Sequence, residues 1–200
     1  MVVGSNPTRR TNMLNLIIFG PPGAGKGTQA GLIARKNKLT HLSSGDILRH
    51  ELKNGRLGTK IKKYQDAGKL VPDDIIVEMM ETAVAKNLKG NGFIFDGYPR
   101  NSTQAKHLDQ FLKNKKIKIN SVLNLKLSEA EALKRIILRS KTSGRSDDNI
   151  KTIKNRFRIY RAQTAPLLKY YRAQKKIINI DGRPTITEVF KNIVKIIEKS

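Results

Sequence analysis

The sequence predicts an α/β fold, with a central five-stranded parallel sheet covered by helices on both faces. Three observations lead to it. Short apolar runs alternate with longer amphipathic stretches from Leu14 onward. The runs carry no polar face, as expected of parallel strands buried on both sides. The first run ends in a Gly/Pro-rich loop that opens directly into a helical pattern.

Leu14–Phe19 is the first strand, and Lys26–Asn37 the helix that follows its loop. His41–Ser43 is a second, short strand, followed by helices over Gly45–Lys53 and Thr59–Ala67. A helix over Asp73–Asn87 is announced by Pro72-Asp73-Asp74, which places acids on a first turn where the helix dipole favours them. Phe93–Phe95 is the third strand, Ser102–Lys113 a helix, Ser121–Leu127 the fourth strand and Glu129–Arg139 a helix. Ser146-Asp147-Asp148 leads into one long helix, Asn149–Arg172. The strand Ile177–Ile180 and the helix Thr185–Glu198 complete the alternation. In such a sheet ligands are expected at the carboxyl ends of the strands.

A chain of 200 residues is long enough for one domain with a real core and too short for two. We expect residues 13–200 to form that domain. Met1–Asn12, with Pro7, Arg9 and Arg10 but no apolar stretch, is expected to be an extension ahead of Met13 and lacks the features of a secretory signal. There is no apolar run of about 18 residues to span a membrane, and a cytoplasmic location is expected. The absence of cysteine excludes disulfides, a thiolate nucleophile and a cysteine-ligated zinc. The three histidines, His41, His50 and His107, form no ligand pattern. The formal net charge of +24 admits a nucleic-acid or other polyanion partner. However, the lysines are spread along the chain apart from a modest cluster at Lys113–Lys118, and only 6% of residues are aromatic, so that is the lesser reading.

The chemistry begins at Gly20-Pro21-Pro22-Gly23-Ala24-Gly25-Lys26-Gly27-Thr28. Strand before, helix after and Lys26 in register match the phosphate-binding G-x-x-x-x-G-K-[ST] loop. Its glycines let backbone N–H groups converge on phosphate oxygens, the helix N-terminus adds partial positive charge, and Lys26 supplies a cation. Gly27 stands where the hydroxyl is usual, and Thr28 supplies it one residue later. The loop predicts nucleoside-triphosphate binding on a three-layer P-loop NTPase-type sandwich.

The string GPPGAGKGTQA resembles the adenylate kinases, within the nucleoside-monophosphate kinases. Four further blocks resemble that family in the same order: Ser43–Arg49, Gly68–Pro72, Gly92–Arg100 and Thr142–Asp148. The resemblance runs from Met13 to the C-terminus. It implies a monomeric, Mg²⁺-dependent ATP:AMP phosphotransferase acting on ATP, AMP and ADP. It also implies two small mobile segments, one over the acceptor at about residues 43–72 and a short lid at about 138–148, with no structural zinc.

The resemblance assigns roles residue by residue. ATP would be held by Gly23, Ala24, Gly25, Lys26, Gly27 and Thr28, with Arg135 flat against its adenine and the backbone near Pro184 beside it. AMP would meet Ser44, Arg49, Lys69, Leu70, Val71, Gly97, Tyr98, Pro99, Arg100 and Gln104. Lys26, Arg100, Arg139, Arg145 and Arg156 would clamp the phosphates in transfer, Arg145 and Arg156 also reaching AMP. Thr28 and Asp96 would hold Mg²⁺, directly or through water. Two nucleotides and one Mg²⁺ bring a charge on the order of −4, which calls for several converging cations. No general base stands out and none is needed, because the second pKa of a phosphate monoester is about 6. Gln104, four residues after Arg100, goes with AMP by resemblance, whereas UMP/CMP kinases carry Asn there. Asn101 and Ser44 both depart from the usual adenylate kinase residues, which leaves a UMP/CMP kinase as the alternative.

Overall fold

A computed structural model of the chain describes residues 13–55, 58–66, 71–143 and 150–198. Its sheet has five parallel strands in the order β2-β3-β1-β4-β5. These are β1 (Leu14–Phe19), β2 (Thr40–Ser43), β3 (Gly92–Asp96), β4 (Ser121–Lys126) and β5 (Ile177–Asp181). Ile18 and Ser43 both pair with Asp96, so β1, β2 and β3 end within one residue of each other, and Phe19 pairs with Asn124, two residues before the end of β4. The chain leaves β1 in one direction for β2 and β3 and in the other for β4 and β5. The switch point, and with it the expected ligand crevice, therefore lies beside the end of β1.

The period of two along the strands divides the core into two layers. Ile17, Phe19, Phe93 and Phe95 face one side, against α4 (Asp73–Lys86), α5 (Ser102–Asn114) and α8 (Leu167–Ala173), where Met80, Leu108 and Tyr171 meet them. Leu16, Ile18, Ile94 and Leu123 face the other, against α1 (Lys26–Asn37) and α9 (Ile186–Ile197), through Ile33 and Ile193. A third, small cluster of Ala132, Ile136, Ile153 and Phe157 joins α6 (Glu129–Ser143) to α7 (Ile150–Ile159). The segments α2 (Ser44–Asn54) and α3 (Gly58–Asp66) pack together over the end of β2.

The structure corrects three expectations. The strands are not wholly apolar: Asn15 is buried inside β1, where its Nδ2 donates to the Lys118 carbonyl (3.0 Å) and its Oδ1 accepts from Phe93 N–H (3.1 Å). A buried amide is tolerated because its groups are paired. The expected single helix 149–172 is instead α7, a π-helical turn at Tyr160–Thr164, and α8. Pro166 explains this. It has no N–H to give and its ring crowds the preceding turn, so the helix widens, and Ala165 N–H reaches five residues back to the Tyr160 carbonyl (2.8 Å). Finally, α6 extends past its expected end at Arg139 to Ser143, within the expected lid segment 138–148. The remainder of that lid, including Arg145 and the Ser146-Asp147-Asp148 start signal, lies outside the described residues, as do Lys69 and Leu70.

Candidate active site

The loop between β1 and α1 turns through Gly23 and Gly25, both at φ +83°, a left-handed conformation that glycine adopts without strain. Gly25 caps α1 without any side-chain hydrogen bond, so the first N–H groups of the helix face the crevice. Lys26 folds back over this loop, its Nζ donating to the carbonyls of Gly20 (2.9 Å) and Pro21 (3.0 Å). Burial pulls its pKa from 10.5 down to about 8. The Asp96 carboxylate opposes that shift, while the positive fields of Arg100, Arg156 and Arg139 add to it. Cations from α5's approach, α6 and α7 thus act on one ammonium.

Asp96 ends β3, nearly buried, and accounts for the glycine at position 27. A Cβ there would lie 3.2 Å from the Asp96 Oδ2. Next to it is His41, with Nε2 3.7 Å from the same oxygen and no hydrogen-bond partner among the described residues. The scattered histidines of the sequence gave no hint of this contact, which arises only when β2 pairs with β3.

At the other end of the crevice, Gly97 (φ +72°) turns its carbonyl to accept from the Ser44 hydroxyl and from Arg100 Nε, both at 2.7 Å. A Cβ at Gly97 would meet Ser44 Oγ at 2.8 Å. The Arg100 carbonyl in turn accepts from Thr164 Oγ1 (2.9 Å), so the π-helical turn braces the arginine. Gln104, one turn into α5, is buried (2% exposed). Arg49 pairs with Asp46 on α2. On the far side, Arg135 donates through Nη1 to the Gly182 carbonyl (2.9 Å) and through Nη2 to that of Arg183 (3.0 Å). It thereby ties α6 to the turn that carries Pro184.

These residues border one cavity of about 990 Å³, at the upper end of the range for ligand pockets. Gly23, Ala24, Gly25, Lys26, Gly27 and Thr28 line it, as do Arg135 and Pro184. So do Ser44, Arg49, Val71, Gly97, Pro99 and Gln104, together with Asp96, Arg100, Arg139 and Arg156. Tyr98 departs from the expectation. Its side chain is 1% exposed and packs in the core on the α4/α5 face, where burial pushes its phenol well above the usual range. Reading the sequence missed His41, Thr152, Tyr160 and Thr164, which also line the cavity. Of these, only the Thr-Ala-Pro that follows a helical run carried any signal.

No group of three or more acidic or histidine side chains is gathered among the described residues. The Asp96 carboxylate and the Thr28 hydroxyl, beside a phosphate cradle, are nonetheless oxygen donors that suit Mg²⁺, which keeps several waters and takes phosphate oxygens as ligands.

A parallel sheet with a glycine loop at its switch point, opening a helix onto a cationic cavity, defines a nucleotide-binding protein of the P-loop NTPase class. The family model described as adenylate kinase matches residues 18–176. An adenylate kinase of Parabacteroides distasonis is 46% identical over 182 residues, covering 90% of this chain and 96% of the relative. Adenylate kinases of Flavobacterium psychrophilum and Leptospira biflexa are 43% and 44% identical over 187 and 184 residues, each covering 92% of this chain and nearly all of the relative. The chain belongs to the adenylate kinase family.

Proposed function

We propose that the cavity holds ATP and AMP end to end and passes the terminal phosphoryl group of ATP to AMP, in the reversible reaction ATP + AMP = 2 ADP. The observation that carries this reading is that one cavity is lined by two sets of polar groups, large enough together for two nucleotides. A phosphate-binding loop with Lys26, the polar groups of Ser44, Arg49 and Gln104, and the guanidinium groups of Arg100, Arg139 and Arg156 all line this one space.

ATP lies with its phosphates over the N–H groups of Gly23–Thr28. Lys26 exchanges the carbonyls of Gly20 and Pro21 for phosphate oxygens, and their negative charge restores its full protonation. Arg135 presents its guanidinium plane to the donor adenine while holding the 182–184 turn in place. AMP lies with its phosphate against Arg49 and Arg100 and its base against Gln104. Lys69, Leu70 and Arg145 join by family likeness. An oxygen of the AMP phosphate attacks the γ-phosphorus, the bond from that phosphorus to its bridging oxygen breaks, and the electron pair leaves with ADP. The attacking oxygen is already anionic near pH 7, so the protein's contribution is alignment and charge stabilisation. Arg139 and Arg156 screen the two phosphates from each other and meet the charge that spreads over the equatorial oxygens. Thr28 and Asp96 would hold Mg²⁺, which, when bound, neutralises phosphate charge. By likeness to the adenylate kinases, the protein acts as a monomer in the cytoplasm.

A coupled assay of ADP formation from ATP with AMP, UMP or CMP tests the proposal. AMP should be turned over fastest and only with Mg²⁺ present. Faster turnover of a pyrimidine monophosphate would overturn it.

A further inference from the structure

The amide of Gln104 is held at both ends by groups of opposite character. Its Oε1 accepts from Arg100 N–H (2.8 Å), and its Nε2 donates to Asp73 Oδ1 (2.7 Å). A backbone N–H can only donate and a carboxylate can only accept. Turning the amide over would set oxygen against oxygen and N–H against N–H, so one orientation alone is allowed. A primary amide offers two N–H groups and two acceptor positions. One of each is spent on the protein, and one of each remains.

Asp73 is itself fixed. It occupies the first turn of α4, where the dipole favours its charge, and both its oxygens accept from Asn101 Nδ2, at 2.9 and 3.1 Å. Asn101 in turn caps α5, its Oδ1 accepting from Gln104 N–H (2.9 Å). The carboxylate, the cap and the amide thus form one closed set of hydrogen bonds, and Asp73 is the only member whose chemistry forbids the reversed amide on the Nε2 side.

The consequence concerns the acceptor base, and it rests on the reading of Gln104 as the group that meets it. Adenine presents an amino donor at C6 and an acceptor at N1. A 6-oxopurine presents the reverse, an acceptor at C6 and a donor at N1. A glutamine free to turn over serves both, because its oxygen and nitrogen are nearly the same size, whereas a locked one serves only one order. We propose that Asp73 is a specificity-determining positioning residue, which locks the Gln104 amide in the order that accepts adenine and rejects 6-oxopurines.

The test compares kcat/KM for AMP and for IMP, with ATP as donor, in the wild type, Asp73→Asn and Asn101→Ser. Asp73→Asn keeps shape and volume but offers an amide that can face Gln104 either way. With Arg100 N–H still opposing the reversed amide, its AMP:IMP ratio should fall about threefold or more, mainly through KM, with kcat for AMP within about twofold of wild type. Asn101→Ser keeps a capping oxygen and the Asp73–Gln104 bond, and should retain the wild-type ratio. An unchanged ratio in Asp73→Asn, or an equal loss in Asn101→Ser, overturns the proposal. The base-contact reading fails separately, if Gln104→Ala leaves the KM for AMP unchanged.

Discussion

Lys26→Met separates what the cation does for catalysis from what it costs the fold. Burial and three neighbouring arginines pull the Lys26 pKa from 10.5 to about 8. By linkage that difference is a penalty of at most about 3 kcal/mol on the folded, nucleotide-free protein near neutral pH. The side chain is only half-buried and its ammonium faces a water-accessible cavity, so screening reduces the figure to about 1–2 kcal/mol. The sign follows from proton counting. Below about pH 8 both states hold the proton and the penalty is complete. Between about 8 and 10.5 the unfolded chain binds more protons, so stability rises with pH, and above 10.5 the penalty is gone. The variant should therefore be more stable than wild type near pH 7 by about 1 kcal/mol, a rise of roughly 2–4 °C in Tm, and the advantage should vanish towards pH 10.5. Its kcat should fall by about 10²–10³, as when one preorganised donor to a transition-state oxyanion is removed. Urea unfolding of both proteins without nucleotide, across this pH range, together with the coupled assay, reads all three quantities. A variant that is less stable at pH 7, shows a pH-independent difference, or keeps its turnover would refute the reasoning.

Two further substitutions probe the ends of the cavity. Gly97→Ala places a Cβ in a left-handed position, 2.8 Å from Ser44 Oγ and 3.1 Å from Arg100 Nη2. It should cost about 1–3 kcal/mol of stability in denaturant unfolding and raise the KM for AMP more than that for ATP in steady-state kinetics. Arg135→Lys loses the planar fork that binds the Gly182 and Arg183 carbonyls. The KM for ATP should rise about tenfold, with that for AMP within about twofold, as read from the same kinetics.

Most of the sheet was legible because buried parallel strands leave mainly apolar runs, and Leu14–Phe19, interrupted only by Asn15, matches the observed strand to the residue. The phosphate loop was legible because its chemistry is local. Glycines, Lys26 and the helix start all lie within one short stretch. What escaped depends on contacts between distant segments. His41 reaches Asp96 only through the pairing of β2 with β3, and Asp73 reaches Gln104 only because α4 and α5 start side by side. In the sequence Asp73 is no more than a first-turn acid. Tyr98 shows the limit of carrying a motif over whole: its neighbours Gly97 and Pro99 line the cavity, while its own side chain turns into the core. The break at Pro166 was the one local signal overlooked, since proline inside a helical pattern implies a widened or interrupted turn.

If one cavity binds two nucleotides with their phosphates facing each other, a dinucleotide whose two adenosines are joined through a polyphosphate bridge should fill it alone. Calorimetric titration with that dinucleotide is the most direct test. One molecule should bind per chain, with ATP and AMP both excluded once it is in place. Two molecules per chain, or a complex that still binds AMP, would contradict it.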